Sequence, residues 1–290
     1  MLKALIQTLR PRQWTKNLVI FAGLIFDGQF LQPVPLLRVS AAALLFCLVS
    51  GVTYTINDLL DIEADRLHPQ KRFRPIASGR LSRNQAIILI VFLSALSLVG
   101  GYLLSPNLAL ILVSYSLLML IYSKWLKKIM ILDVLVIAAG FTLRVLAGLS
   151  VIQVAYFSPW LFVLTSLLAM YLAFGKRLAE LKLLEANASS HRKSLDGYSV
   201  PLLNQYILIV LGAILITYTL YTFSAHPVQT SSAMMLTIPF VVYGIFRYLY
   251  LIQSDLITSS PEEVLLKDRP LQIAIILWGL SVLAILYIVF

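Results

Sequence analysis

Charge is scarce in this chain. Of its 290 residues only 12% are Asp, Glu, Lys or Arg, 60% are hydrophobic, and the mean hydropathy is +0.89. A soluble domain of this length needs roughly twice that charged fraction for its surface, so the composition excludes a water-soluble globule and points to an all-α protein that crosses a membrane several times. Acidic residues are scarcer still, 13 against 23 Lys and Arg. The resulting charge of +10 has no soluble basic domain to carry it, which excludes a nucleic-acid partner as its reason. Cys47 stands alone inside an apolar stretch, so neither a disulfide framework nor a cysteine metal site is available. The first apolar run also lacks a small-residue cleavage site and is expected to be retained as a helix.

What is abundant is apolar sequence in runs long enough to cross a bilayer, each crossing needing roughly 20 residues. Nine such runs are expected, near 13–32, 36–56, 84–104, 107–123, 131–150, 159–180, 202–223, 232–252 and 271–290. With the N-terminus inside, 21 of the 23 cationic residues fall on cytoplasmic segments or helix ends, Arg38 and Arg144 being the others. Positive residues are retained on the cytoplasmic side, so nine helices with a cytoplasmic N-terminus and an external C-terminus support each other. The expected architecture is a single polytopic membrane domain over 1–290, with long cytoplasmic loops at 57–83 and 176–201 capping the site.

The few carboxylates are gathered. Residues 57–79 hold four of the 13, together with Arg66, Lys71, Arg72 and Arg74. At 100° per residue, Asp58, Asp61 and Asp65 fall within about 60° of one another on a helix, with Glu63 opposite. A stripe of three carboxylates repels itself unless cations sit on it, and Mg²⁺ takes oxygen ligands that it commonly shares with substrate phosphates. Pro69 is expected to end this helix before the basic run begins.

A second polar stretch runs Gly175-Lys-Arg-Leu-Ala-Glu180. Lys176 and Glu180 are spaced to meet on one helix face as an ion pair, yet that face continues an apolar span, where a charge costs about 2.5 to 3.5 kcal/mol unless paired or wet. Setting Asp61 on Glu180 brings Asn84-Gln85 within one residue of Asn204-Gln205 and Lys71-Arg72 opposite Arg192-Lys193, a weak sign of two halves built alike. Arg144 lies deep in the fifth run. Asp133, eleven residues earlier, is about 16 Å away along a helix, too far for a direct bond, so Arg144 needs another partner or a substrate anion. Lys16 and Asn17 are polar positions at the mouth of the first run; for Lys16, snorkelling competes with a phosphate contact. Arg247 and the stretch 261–269 are expected on a cytoplasmic loop.

Asn57-Asp58-x-x-Asp61-x-x-x-Asp65 resembles the first aspartate-rich motif of the UbiA-type superfamily of intramembrane prenyltransferases, nine-helix proteins in which the motif binds Mg²⁺ and a diphosphate. That resemblance implies a site at Asn57, Asp58, Asp61 and Asp65, with the three aspartates holding Mg²⁺. Most members carry a second aspartate-rich motif on the sixth helix, where this chain has Lys176 and Leu184 in place of carboxylates. The stretches Arg10-Pro-Arg-Gln-Trp-Thr-Lys-Asn17, His68-Pro-Gln-Lys-Arg-Phe-Arg-Pro-Ile-Ala-Ser-Gly79 and Gly175-Lys-Arg-Leu-Ala-Glu180 look like those of the branch that joins phosphoribosyl diphosphate to a polyprenyl phosphate.

That branch implies transfer of 5-phosphoribose at the cytoplasmic face of the plasma membrane. Lys71, Arg72, Arg74, Lys176 and Arg177 would then be candidates for the donor's phosphates, since guanidinium groups bind phosphate bidentately. Lys16 and Arg144 would hold the lipid phosphate, and Glu180 a ribose hydroxyl or Lys176. The alternatives are an aromatic prenyltransferase of the same fold, taking a prenyl diphosphate and an acceptor such as 4-hydroxybenzoate, and, more remotely, a transporter, whose polar groups would spread through the midplane. A homo-oligomer, the lipid chain length and the number of Mg²⁺ ions stay open.

Overall fold

The computed structural model describes residues 2–154, 158–186, 195, 197–224, 231–253, 264 and 267–287. Among them there is no strand. The helices are α1 (Leu2–Thr8), α2 (Ala22–Phe26), α3 (Pro33–Leu60), α4 (Ile62–Leu67), α5 (Arg83–Leu104), α6 (Pro106–Lys124), α7 (Leu132–Leu149), α8 (Pro159–Ala186), α9 (Val200–Ser224), α10 (Ser231–Met234), α11 (Ile238–Gln253) and α12 (Arg269–Tyr287). Eight helical spans among the described residues are long and apolar enough to cross a membrane. They match eight of the nine expected runs. The remaining run, 13–32, is a 3-10 segment (Pro11–Phe21) followed directly by α2.

Proline sets where several spans begin. Gln32 and Ser105 are extended, with ψ of 122° and 130°, because each precedes a proline that cannot follow an α-helical residue comfortably. Pro33 and Pro106 then occupy the first helical position, where no backbone N–H is missed. α5 starts instead on a capping box: the Ser82 hydroxyl accepts from the Gln85 backbone N–H, and the Gln85 side chain accepts from that of Ser82.

The chain divides into two compact units, residues 1–125 with 143–155, and residues 126–142 with 156–290. In the first, Val39, Ala42, Phe46 and Val49 recur on one face of α3 and pack on Leu108, Leu112 and Tyr115 of α6 and on Ala147 of α7. Gly148 permits close approach there, since a Cβ would collide with the Ile20 carbonyl oxygen of the 3-10 segment. The other face of α5 presents Ile88, Val91, Phe92 and Leu103, each more than 60% exposed, an apolar surface suited to lipid rather than water. In the second unit, Phe174 and Leu178 of α8, Leu203, Ile207 and Ile214 of α9, and Tyr248 and Ile252 of α11 form the core. Arg247, expected on a loop, belongs to α11 and pairs with Asp268 just before α12 through two bonds of 3.2 and 2.8 Å. Residues 261–263, 265 and 266 lie outside the described residues.

Candidate functional site

The aspartate stripe forms, but not on one continuous helix. α3 ends at Leu60, Asp61 makes the joint (φ −97°, ψ 12°), and α4 carries on to Leu67. His68 is extended because Pro69 follows it, so the helix stops one residue before the proline. Asp58 and Asp65 are both buried, at 2% exposure. Arg74 lies between them, one terminal nitrogen 3.1 Å from Asp58 Oδ1 and 2.6 Å from Asp65 Oδ2. Arg10 donates to the same Asp58 oxygen, and its guanidinium also covers the Tyr54 ring at 4.9 Å. Arg10 holds a left-handed backbone, φ 52°, directly before Pro11. Asn57 donates to Asp61 Oδ2 at 3.0 Å. Glu63 faces away as expected, exposed beside Arg66 and Arg83.

Arg74 reaches the carboxylates because the loop folds back. Ile76 and Leu81 are buried with Ile62 of α4 and Ala86 of α5, Arg66 donates to the Ala77 carbonyl oxygen at 3.3 Å, and Gly79 supplies the turn with φ 76°. Arg72 instead lies exposed over the Phe73 ring, and Lys71 is half-buried.

Two carboxylates that already aim one oxygen each at a single cationic nitrogen, with Asp61 on the joint between them, fit a hard divalent cation in donor type. Among the described residues no three Asp, Glu, His or Cys side chains converge as a ligand group.

Arg144 finds its partners within the first unit. Its Nε donates to Asn17 Oδ1 at 2.7 Å and a terminal nitrogen to the Tyr115 hydroxyl at 3.0 Å. The Phe46 and Tyr115 rings lie 5.1 and 4.8 Å from the guanidinium. Asn17 also donates to Cys47 Sγ at 3.1 Å. Lys16, next in sequence, is half-buried.

In the second unit Arg177 is 8% exposed and donates from Nε to Asp133 Oδ2 at 2.7 Å and from a terminal nitrogen to Glu180 Oε2 at 2.8 Å. Glu180 therefore meets Arg177 at i, i+3 as well as lying one turn from Lys176, which is exposed. Tyr198 donates to Asp133 Oδ1 at 2.7 Å. Burial pushes the Tyr198 phenol well above its ordinary value; the Asp133 carboxylate adds to this while the Ile131 N–H opposes it. Of the loop expected at 176–201, residues 176–186 continue α8, and Arg192 and Lys193 lie outside the described residues.

Sequence reasoning overlooked Arg10, Asp133 and Tyr198. Arg10 sat in a quoted motif but was counted only as a positive charge. Asp133 was considered for Arg144 alone, and the signal for its true partner, a carboxylate at a helix start that must be neutralised if buried, applied equally to Arg177.

The model of the UbiA prenyltransferase family matches residues 18–260. The chain belongs to that family. Among curated family relatives, the decaprenyl-phosphate phosphoribosyltransferase of Mycolicibacterium smegmatis is 35% identical, over 99% of this chain and 93% of the relative. The protein of the same name from Mycobacterium tuberculosis is 34% identical, over 94% and 91%. Among solved structures, a UbiA homolog from Archaeoglobus fulgidus bound to GPP and Mg²⁺ superposes with a TM-score of 0.73 at 19% identity, covering 98% of this chain and 100% of that one. The UbiA fold is thus shared over 98% of this chain.

Proposed function

We propose that this protein transfers 5-phosphoribose from phosphoribosyl diphosphate to a polyprenyl phosphate of the decaprenyl class, releasing diphosphate, at the cytoplasmic face of the plasma membrane. The observation that carries this reading is the near full-length similarity to decaprenyl-phosphate phosphoribosyltransferases. Site chemistry supports it: a cation and a leucine, Lys176 and Leu184, stand where the resemblance would put a second set of metal-binding carboxylates.

Asp58, Asp61 and Asp65 would hold Mg²⁺, which when bound neutralises charge growing on the departing diphosphate. Asn57 fixes the orientation of Asp61. Arg74, with Lys71 and Arg72 on the same folded loop, contacts donor phosphates, and Lys176 of α8 offers a further cation for a phosphate; Arg177, buried and bonded to Asp133 and Glu180, orders that stretch of α8. Lys16 holds the lipid phosphate, while Arg144 steadies the adjoining Asn17 from within the bundle. A lipid phosphate oxygen attacks the anomeric carbon as its bond to diphosphate breaks, in an oxocarbenium-like transition state. That oxygen is already anionic near pH 7, so no strong general base is required.

Nine crossings result if residues 11–26 make the first, and with the N-terminus inside, as the distribution of Lys and Arg favours, the C-terminus then lies outside. A 3-10 helix rises about 2.0 Å per residue, so 11 residues span about 22 Å, and the five of α2 bring the segment close to the ~30 Å of a hydrocarbon core.

The reading is tested by one assay offering radiolabelled phosphoribosyl diphosphate and decaprenyl phosphate, beside a second offering a prenyl diphosphate and 4-hydroxybenzoate. Label is expected in the lipid only in the first, and Asp61→Asn should abolish it while the protein still folds in detergent. Prenylated ring product with no labelled lipid would overturn it.

A further inference from the structure

One buried node in the second unit is not used by the reaction as drawn above. Asp133, 1% exposed, accepts from Arg177 on one oxygen and from the Tyr198 hydroxyl on the other. The same hydroxyl accepts the Ile131 backbone N–H at 2.9 Å. Ile131 has φ 70°, a left-handed conformation that a β-branched residue rarely adopts. On the other side Gly197, next to Tyr198, has φ 92°, and a Cβ on it would lie 2.9 Å from Met130 Sδ. Two unusual backbone positions thus flank one phenol. The strain at Ile131 persists only where the surroundings over-determine it, whereas Gly197 adopts its positive φ without steric penalty.

The planar guanidinium of Arg177 transmits this constraint. With Nε fixed on Asp133, the direction of its terminal nitrogens is fixed too, and one of them holds Glu180. A glutamate near the end of a long helix would otherwise sample several rotamers. A phenol held above its ordinary value stays protonated across the working range, so Tyr198 remains a donor to Asp133 throughout. An ionised carboxylate can only accept hydrogen bonds, and the sugar of the donor offers hydroxyls.

We propose that Tyr198 and Asp133 are positioning residues for phosphoribosyl transfer, fixing Arg177 so that Glu180 is held as the acceptor for a ribose hydroxyl. This rests on the function proposed above. Tyr198 touches no substrate and acts only through Asp133 and Arg177.

The test is a double-mutant cycle on purified full-length protein, with kcat and KM for phosphoribosyl diphosphate measured on Tyr198→Phe, Glu180→Gln and the double variant, and melting temperatures recorded alongside. Tyr198→Phe is expected to lower kcat/KM about ten-fold, the loss of one hydrogen bond to a charged group. Glu180→Gln should lower it further, and the double variant no further than Glu180→Gln alone. With a donor analogue lacking the recognised C2 or C3 hydroxyl, the Tyr198→Phe effect should vanish. Losses that multiply in the double variant, or a lower melting temperature with unchanged kcat/KM, overturn the proposal. Wild-type protein that transfers no phosphoribose removes the parent reading; wild-type turnover with multiplying losses removes this one alone.

Discussion

Arg74→Ala removes the guanidinium nitrogen that lies 3.1 Å from Asp58 Oδ1 and 2.6 Å from Asp65 Oδ2. Asp58 keeps Arg10 as a counter-ion. Asp65, whose side chain is only 3% exposed, loses the cation beside it. Breaking a buried pair from one side costs about 3–5 kcal/mol. Arg74 is itself 25% exposed, so water enters the vacated space and screens the orphaned charge, leaving a loss of about 2 kcal/mol. In a detergent thermal melt with EDTA this lowers the midpoint by roughly 4–8 °C. Adding Asp65→Asn should return most of the loss, because the neutral amide no longer needs the cation. Mg²⁺ should raise the midpoint of Arg74→Ala more than that of wild type, since the ion takes over the same oxygens. A midpoint within about 1 °C of wild type, or a double variant no more stable than the single, refutes the reasoning.

Lys176→Ala should raise KM for phosphoribosyl diphosphate about ten-fold with little change in kcat, as expected for uniform binding of a phosphate, and steady-state kinetics separate the two. Gly148→Ala drives a methyl group into the Ile20 carbonyl oxygen and should cost about 1–3 kcal/mol, read as a lower melting temperature; Gly28→Ala, with φ 72° but open space around it, is strained by its backbone alone. The Arg247 guanidinium, bonded to Asp268, holds that carboxyl below its usual range. A depressed folded value means that the pairing of α11 with α12 gains stability fully present above the ordinary aspartate pKa, about 3.9, and lost as pH falls through the lower folded value. Asp268→Asn should flatten the acid limb of a melting-temperature profile, and an unchanged limb would show that the pair contributes nothing there.

Hydropathy and proline placement determined eight spans, because a bilayer imposes one length on every crossing and a proline forces the residue before it out of helix. The carboxylate stripe was legible too, from helical periodicity alone, including the outward direction of Glu63. Its break at Asp61 was not, since the joint between α3 and α4 comes from packing: Ile62, Ile76, Leu81 and Ala86 bury one another only when the loop turns back. Tertiary structure alone decided which charges neutralise which. Sequence spacing offered Lys176 to Glu180 and left Arg144 without a partner. The fold puts Arg177 between Asp133 and Glu180, 44 and three residues away, and gives Arg144 to Asn17, 127 residues away. A buried charge must be met by whatever lies within about 3 Å of it; helical spacing brings Glu180 to Arg177, but Asp133 and Asn17 come within reach of their arginines only because segments remote along the chain pack together.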